Sequence, residues 1–147
     1  IIIIFLQSCG FKVLEKDNLG NFYIIEIETS GEKRINHNIR NKLLFVSKEE
    51  GNDKVKIKII TKISKNIKEK NIKNQITKYS LSISTKIEYE NLNKEIKNSF
   101  TLSRDGNYNV AEQNSQTINN EKKLIDLLTE SISNQIIKEL IVRFDDY

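Results

Sequence analysis

The stretch YSLSISTKIEY, residues 79–89, alternates between mostly apolar and polar side chains along its whole length. One set of alternate positions comprises Tyr79, Leu81, Ile83, Thr85, Ile87 and Tyr89, and the other comprises Ser80, Ser82, Ser84, Lys86 and Glu88. Because successive side chains of a strand point to opposite faces of a sheet, the pattern predicts a strand with one buried and one solvated face. The fold must therefore include a second layer that covers the apolar face.

Three other stretches predict the rest of this sheet. Residues 55–63 (VKIKIITKI) alternate in the same way, and residues 22–28 (FYIIEIE) are rich in β-branched and aromatic side chains. A hairpin turn is predicted at residues 91–93 (NLN), followed by a strand over residues 96–104. The sequence DGN at residues 105–107 is typical of a turn and is predicted to close that strand.

Two helices are predicted as the covering layer. Apolar residues recur every fourth position near the C-terminus, at Leu124, Leu128, Ile132, Ile136, Leu140 and Phe144, and predict a helix from about residue 115 to 143. A shorter helix is predicted from Ile35, Ile39, Leu43 and Val46. The element order therefore predicts an α+β two-layer sandwich, with a mixed sheet of about four strands and both helices on one face.

The N-terminus has the pattern of a lipoprotein signal. Residues 1–8 (IIIIFLQS) are an apolar run too short to span a bilayer, and they fit the end of a signal-peptide h-region. The string Leu6-Gln7-Ser8-Cys9 resembles a lipobox, which predicts lipidation of Cys9, the only cysteine. Residues 9–147 would then form one mature domain. The alternative is a buried strand that carries an ordinary buried cysteine.

Positive charge is concentrated in the middle of the chain. Residues 54–86 contain ten lysines and one acidic residue, Glu69, within a chain of net charge +4. Such a basic segment indicates an anionic partner such as a phosphate group. The candidate binding residues, all on the predicted solvated face, are Lys54, Lys56, Lys58, Lys62 and Lys86. The alternative is that these lysines are only the solvated face of a lysine-rich protein.

The sequence offers no set of residues for catalysis. His37 is the only histidine, and no cysteine or histidine lies near it at metal-ligand spacing. Gly-rich phosphate loops and nucleophile elbows are absent from the sequence, and Glu88 and Glu90 are interpreted as solvated charge. Tyr79 and Tyr89 are predicted to lie opposite the lysines, which argues against nucleic-acid binding. We therefore expect neither an enzyme nor a cofactor.

Four short strings of the sequence, together with the predicted order of elements, resemble the lipopolysaccharide-assembly lipoprotein family, LptE. The strings are SCGF at residues 8–11, SFT at 99–101, YNV at 108–110 and ESISNQIIKEL at 130–140. Residues 12–14 (KVL) depart from the family, which usually has a proline there. The resemblance implies an LptE-like α+β domain over residues 9–147, without cofactor or catalysis.

The same resemblance implies a place in the cell envelope. The lipid on Cys9 would anchor the protein to the outer membrane on its periplasmic side, and Gly10 after the cysteine fits release to that membrane. The protein would be the plug of an LptD-type β-barrel and would help to place lipopolysaccharide in the outer leaflet. The alternative is another outer-membrane or periplasmic lipoprotein that binds an anionic envelope ligand or a partner protein.

Overall fold

The computed structural model describes residues 20–145 as four strands and two helices. In chain order these are β1 (Phe22–Gly31), α1 (Lys33–Val46), β2 (Asp53–Lys70), β3 (Ile76–Asn91), β4 (Ile96–Asn109) and α2 (Asn114–Asp145). Residues 1–19, which include Cys9 and its lipobox, and residues 146–147 lie outside the described residues. The predictions made for Cys9 are therefore not addressed by the structure.

The four strands form one mixed sheet in the order β1-β2-β3-β4. β1 pairs with β2 in parallel, and the other neighbouring strands pair antiparallel. A parallel pair cannot be joined by a tight turn, so α1 carries the chain back from the end of β1 to the start of β2. Both helices pack on the same face of the sheet. The predicted α+β two-layer sandwich is confirmed.

The core lies between the apolar face of the sheet and the two helices. Alternate residues of β2 and β3 are fully buried, as the sequence pattern predicts, and they meet Ile39 and Leu43 of α1. The stripe of α2 is buried from Leu128 onward and includes Ile132 and Leu140. Within the described residues, neither helix has the length and hydrophobicity that crossing a membrane requires.

Aromatic side chains close one end of this core. The ring of Phe144 lies 5.0 Å from that of Phe22 and 5.4 Å from that of Tyr89, measured between centroids. These contacts join the end of α2 to the start of β1 and the end of β3. The burial of Tyr89 and Phe144 here confirms their prediction as core residues.

The predicted turn at residues 105–107 is wrong, because β4 continues through it to Asn109. β3 supplies paired positions for these residues, with Ser82 opposite Asp105 and Leu81 opposite Gly106. A Cβ atom on Gly106 would come within 2.6 Å of Leu124 Cδ1. The glycine thus allows α2 to approach the strand closely and does not mark a turn.

Candidate functional site

The face of the sheet turned away from the helices carries the predicted binding residues, and we call it the open sheet face. Lys54, Lys56, Lys58 and Lys62 are exposed at alternate positions of β2. Lys86 is exposed on the adjacent strand β3, where its register partner is Ile60. The structure therefore brings the five lysines to one face, as their alternation predicts.

The half of this face around Lys56 and Lys58 also carries glutamates on both sides of β2. Lys56 is in register with Glu26 of β1 and with Glu90 of β3. Its Nζ lies 3.0 Å from Glu26 Oε2, and the hydrogen bond between these groups raises the pKa of Lys56. Lys58 has the corresponding register neighbours Glu28 and Glu88. Each lysine thus lies between two carboxylates.

Two further ion pairs continue this pattern, one within β3 and one between β3 and β4. Lys86 Nζ lies 2.7 Å from Glu88 Oε1, and its hydrogen bond lowers the pKa of that carboxyl group. Lys97 Nζ lies 3.2 Å from Glu90 Oε1. In this half of the face, four lysines (Lys56, Lys58, Lys86, Lys97) therefore stand against four glutamates (Glu26, Glu28, Glu88, Glu90). Their formal charges cancel, and Lys54 at the end of this half adds one exposed lysine without an ion pair among the described residues. This half therefore attracts a free anion only weakly.

The other half of the open sheet face has mostly short hydroxyl and amide side chains. Lys62 is in register with Ser84 and, across the next strand, Ser103. The next level along the strands carries Ser64, Ser82 and Asp105, and the one beyond it carries Asn66, Ser80 and Asn107. Lys62 makes no ion pair with any residue between 20 and 144. This hydroxyl-rich half thus offers one lysine without an ion pair, beside many hydrogen-bonding groups and one carboxylate, Asp105, on the next level.

Glu26 and Glu28 belong to this face, although the sequence alone does not place them there. Their alternation was visible, but only the parallel pairing of β1 beside β2 brings them next to Lys56 and Lys58. Glu88 and Glu90, interpreted from the sequence as solvated charge, are half-buried and lie among lysines. Strand order and register determine this face, and neither follows from the pattern of one strand.

A second charged cluster lies on the helix side of the sheet, near the start of α2. Lys65 Nζ lies 2.7 Å from Glu121 Oε2 and 4.5 Å from the centroid of the Tyr79 ring. The Tyr108 hydroxyl donates to the same Glu121 oxygen at 2.7 Å. Burial would raise the pKa of Glu121, but these two hydrogen bonds outweigh it and lower that pKa. The partners satisfy one another, so this cluster stabilises the packing of α2 on the sheet.

The remaining candidates for chemistry are dispersed. His37 is exposed on α1, and its Nε2 lies 3.0 Å from Asn41 Nδ2. In the part of the chain that the structure describes, no three histidine, cysteine or acidic side chains are grouped to hold a metal ion.

Comparison with known proteins adds information about the fold. No protein-family model matches the sequence, and no curated protein matches it. Solved structures do match. Rare lipoprotein B from Shewanella oneidensis has a TM-score of 0.62 and 12% identity, over 78% of this chain and 92% of that one. Lipoprotein B from Nitrosomonas europaea has a TM-score of 0.61 and 13% identity, over 90% of each chain.

A third match is a minor lipoprotein from Acinetobacter baumannii, with a TM-score of 0.56 and 13% identity, over 80% of this chain and 93% of that one. At such low identity the likeness establishes a shared fold. This four-stranded mixed sheet covered by two helices is thus the fold of several bacterial lipoproteins.

Proposed function

We propose that this chain is a lipid-anchored protein of the outer membrane, on its periplasmic side, and the partner of an LptD-type β-barrel in lipopolysaccharide assembly. The observation that carries the proposal is the shared fold, which covers nine-tenths or more of three solved lipoproteins. The lipobox-like string that ends at Cys9 supports it independently. The barrel partner and the role in lipopolysaccharide assembly are proposed from the resemblance to the LptE family.

Copurification tests the barrel partner. The tagged protein, extracted from envelopes in mild detergent, should carry one large outer-membrane β-barrel in near-equimolar amount, identified by mass spectrometry. Cys9→Ala protein, directed to the periplasm by a different signal sequence, separates barrel binding from anchoring. If no barrel accompanies the wild-type protein, even after cross-linking in the cell, the plug role is excluded.

We assign lipopolysaccharide binding to the open sheet face, with Lys54, Lys56, Lys58, Lys62 and Lys86 as the candidate residues. Lysine binds phosphate as a compact point charge without a fixed geometry, and the phosphates of lipid A suit such a cation. Lys62 is the strongest candidate, because its register neighbours carry hydroxyl groups and no carboxylate lies in register with it. Lys56 is the weakest, because Glu26 already holds it.

The contrast between these two lysines defines the binding experiment. Lys62→Gln should weaken lipopolysaccharide binding. It should also reduce the dependence of this binding on salt, because salt screens the attraction between an exposed lysine and a phosphate, over about 8 Å at physiological ionic strength. Lys56→Gln removes the same charge from the same face and strand, and it should change binding much less. If both variants bind lipopolysaccharide as the wild type does, Lys62 and Lys56 bind no phosphate and belong to a solvated face.

A second function is favoured by the charge balance around Lys56 and Lys58. Rows of lysine and glutamate that alternate from strand to strand suit a protein surface with complementary rows better than a free anion. The protein would then be an envelope lipoprotein that binds another ligand or partner protein. In the copurification experiment this function predicts a partner other than a barrel, and lipopolysaccharide binding that is unaffected by Lys62→Gln.

A further inference from the structure

Among the described residues, one edge of β2 has no neighbouring strand for about half of its length. β1 pairs with β2 only as far as Gly31, which is opposite Thr61, whereas β2 continues to Lys70 with β3 on its other side. Gly31 has a φ of 91°, and the Glu32 N–H then donates to the Thr61 carbonyl as the chain turns into α1. Beyond Thr61, the position beside β2 that β1 would have filled holds no described strand.

The backbone of β2 presents hydrogen-bonding groups to this open edge. The carbonyl of Lys54 accepts the Leu92 N–H at the β3 side, whereas the carbonyl of Thr61 accepts from Glu32 at the β1 side. Backbone groups alternate in direction along a strand, and the register with β3 is regular from Val55 to Ile67. The N–H and C=O groups of Ile63, Lys65 and Ile67 therefore face the open edge.

The side chains beside this edge divide into an apolar side and a basic side. Ile63 and Ile67 lie on the helix side, and Ile67 remains 51% exposed. Lys62 is exposed on the open sheet face, and Lys68 is exposed where the irregular pairing after Ile67 ends the regular edge. The Lys65 ammonium lies over the Tyr79 and Tyr108 rings of β3 and β4, on the side away from the open edge.

We propose that the edge formed by residues 62–67 binds an extended segment of another protein as an added strand, with acidic residues alternating with apolar ones. The segment's backbone would pair with Ile63, Lys65 and Ile67, as unpaired strand edges do. Its apolar side chains would extend the surface of Ile63 and Ile67, and its carboxylates would meet Lys62 and Lys68. This goes beyond the proposed function, since it requires neither a barrel nor a lipid.

A second copy of this chain does not fit this edge when the two copies pair antiparallel about Lys65. If two copies paired antiparallel about Lys65, Lys62 of one would lie opposite Lys68 of the other on both sides of the centre. Like charges placed directly opposite each other across two strands are destabilising. The lysines therefore disfavour this pairing of two copies and favour an acidic partner.

Amide hydrogen exchange of the full chain, followed by NMR, tests the proposal with a short blocked peptide of alternating valine and glutamate. Exchange at Ile63, Lys65 and Ile67 should slow by about tenfold when the peptide is present at roughly ten times its dissociation constant. Exchange along the outer edge of β4 should not change. A peptide of alternating valine and lysine is the matched control and should protect none of these amides.

Reversal of the two flanking charges gives the decisive comparison. The double variant Lys62→Glu and Lys68→Glu keeps the fold, because both side chains are exposed, and it should bind the lysine peptide instead of the glutamate peptide. The proposal is overturned if the glutamate peptide leaves Ile63, Lys65 and Ile67 unprotected, or if it protects the outer edge of β4 equally. It is also overturned if the charge reversal leaves the preference between the peptides unchanged.

Discussion

At the scale of single residues, the backbone conformation of Gly31 separates β1 from α1. Its φ of 91° lies in the left-handed region, and a Cβ atom there would come within 1.9 Å of the Thr61 carbonyl oxygen. The sequence shows only that a glycine ends the stretch after Glu28. The need for glycine at this position becomes clear only when Thr61 is placed beside it.

Substitution at this glycine should therefore be costly. We expect Gly31→Ala to lower the free energy of unfolding by at least about 1–2 kcal/mol, because alanine resists a positive φ and its Cβ meets a backbone oxygen. Gly106→Ala is the matched control. The atom nearest to its added Cβ is the end of the flexible Leu124 side chain, so it should cost less. Equal losses in chemical denaturation would contradict this account.

The carboxylate of Glu121 should make stability depend on acid. Burial opposes its ionisation, but the hydrogen bonds from Lys65 and Tyr108 outweigh burial and lower its pKa below the ordinary value of 4.5. A lowered folded-state pKa contributes stability above the unfolded pKa, and that contribution is lost as the pH falls through the folded value. The stability contributed by the ionised Glu121 carboxylate should therefore be fully present near neutral pH.

The test is a series of denaturation curves for wild type and Glu121→Gln from pH 7 downward. The variant should be less stable at pH 7, and the difference should close as the pH falls below about 4.5 and the wild-type group takes up its proton. Exposed Glu112 is changed to Gln as a control for the loss of one negative charge. If the difference in the free energy of unfolding between wild type and variant stays constant across this range, the effect of Glu121→Gln comes from the shape of the side chain and not from its charge.

At the scale of elements, α2 is the cover without which the apolar face of the sheet would meet water. Ile132 is fully buried against the sheet, so Ile132→Ala should lower the free energy of unfolding by about 2–5 kcal/mol. Leu127 lies on the same helix but is 68% exposed. Leu127→Ala should change stability by less than about 0.5 kcal/mol. Chemical denaturation of both variants would show whether α2 covers the sheet through the stripe that contains Ile132.

The helices and strands also show which structural features a sequence pattern can predict. The alternation in β3 and the four-residue repeat in α2 correctly predict the strand, the helix and their buried sides, because burial of one face imposes these periods. The ends of strands depend instead on a partner strand. Residues 105–107 have the composition of a turn, yet β3 supplies pairing for them in β4. Residues 64–70 extend β2 although their lysines obscure the alternation.

At the scale of the whole molecule, the two sides of the sheet have different roles. One side forms the core with both helices, and the other is a polar surface whose composition changes along the strands. The sequence predicts that lysines gather on the polar side. It does not predict the charge balance there, because the glutamates of β1 reach β2 only through the crossover of α1. The sequence therefore predicts the lysines of the candidate site and not the glutamates that lie beside them.

Attachment of the whole molecule to a membrane is predicted to depend on Cys9. Diacylglycerol bound as a thioether brings two acyl chains, each of whose methylenes contributes about 0.8 kcal/mol on entering the bilayer, and two chains suffice for stable anchoring. In cells that produce the protein, the mature N-terminus should be a lipidated Cys9 in the membrane fraction, identified by mass spectrometry. Cys9→Ala should give an unprocessed or soluble species, whereas Ser8→Ala keeps a small residue before the cysteine and should be processed as the wild type is. An unmodified Cys9 in protein extracted from membranes would show that the string at residues 6–9 is not a lipobox, and the envelope role would then depend on the shared fold alone.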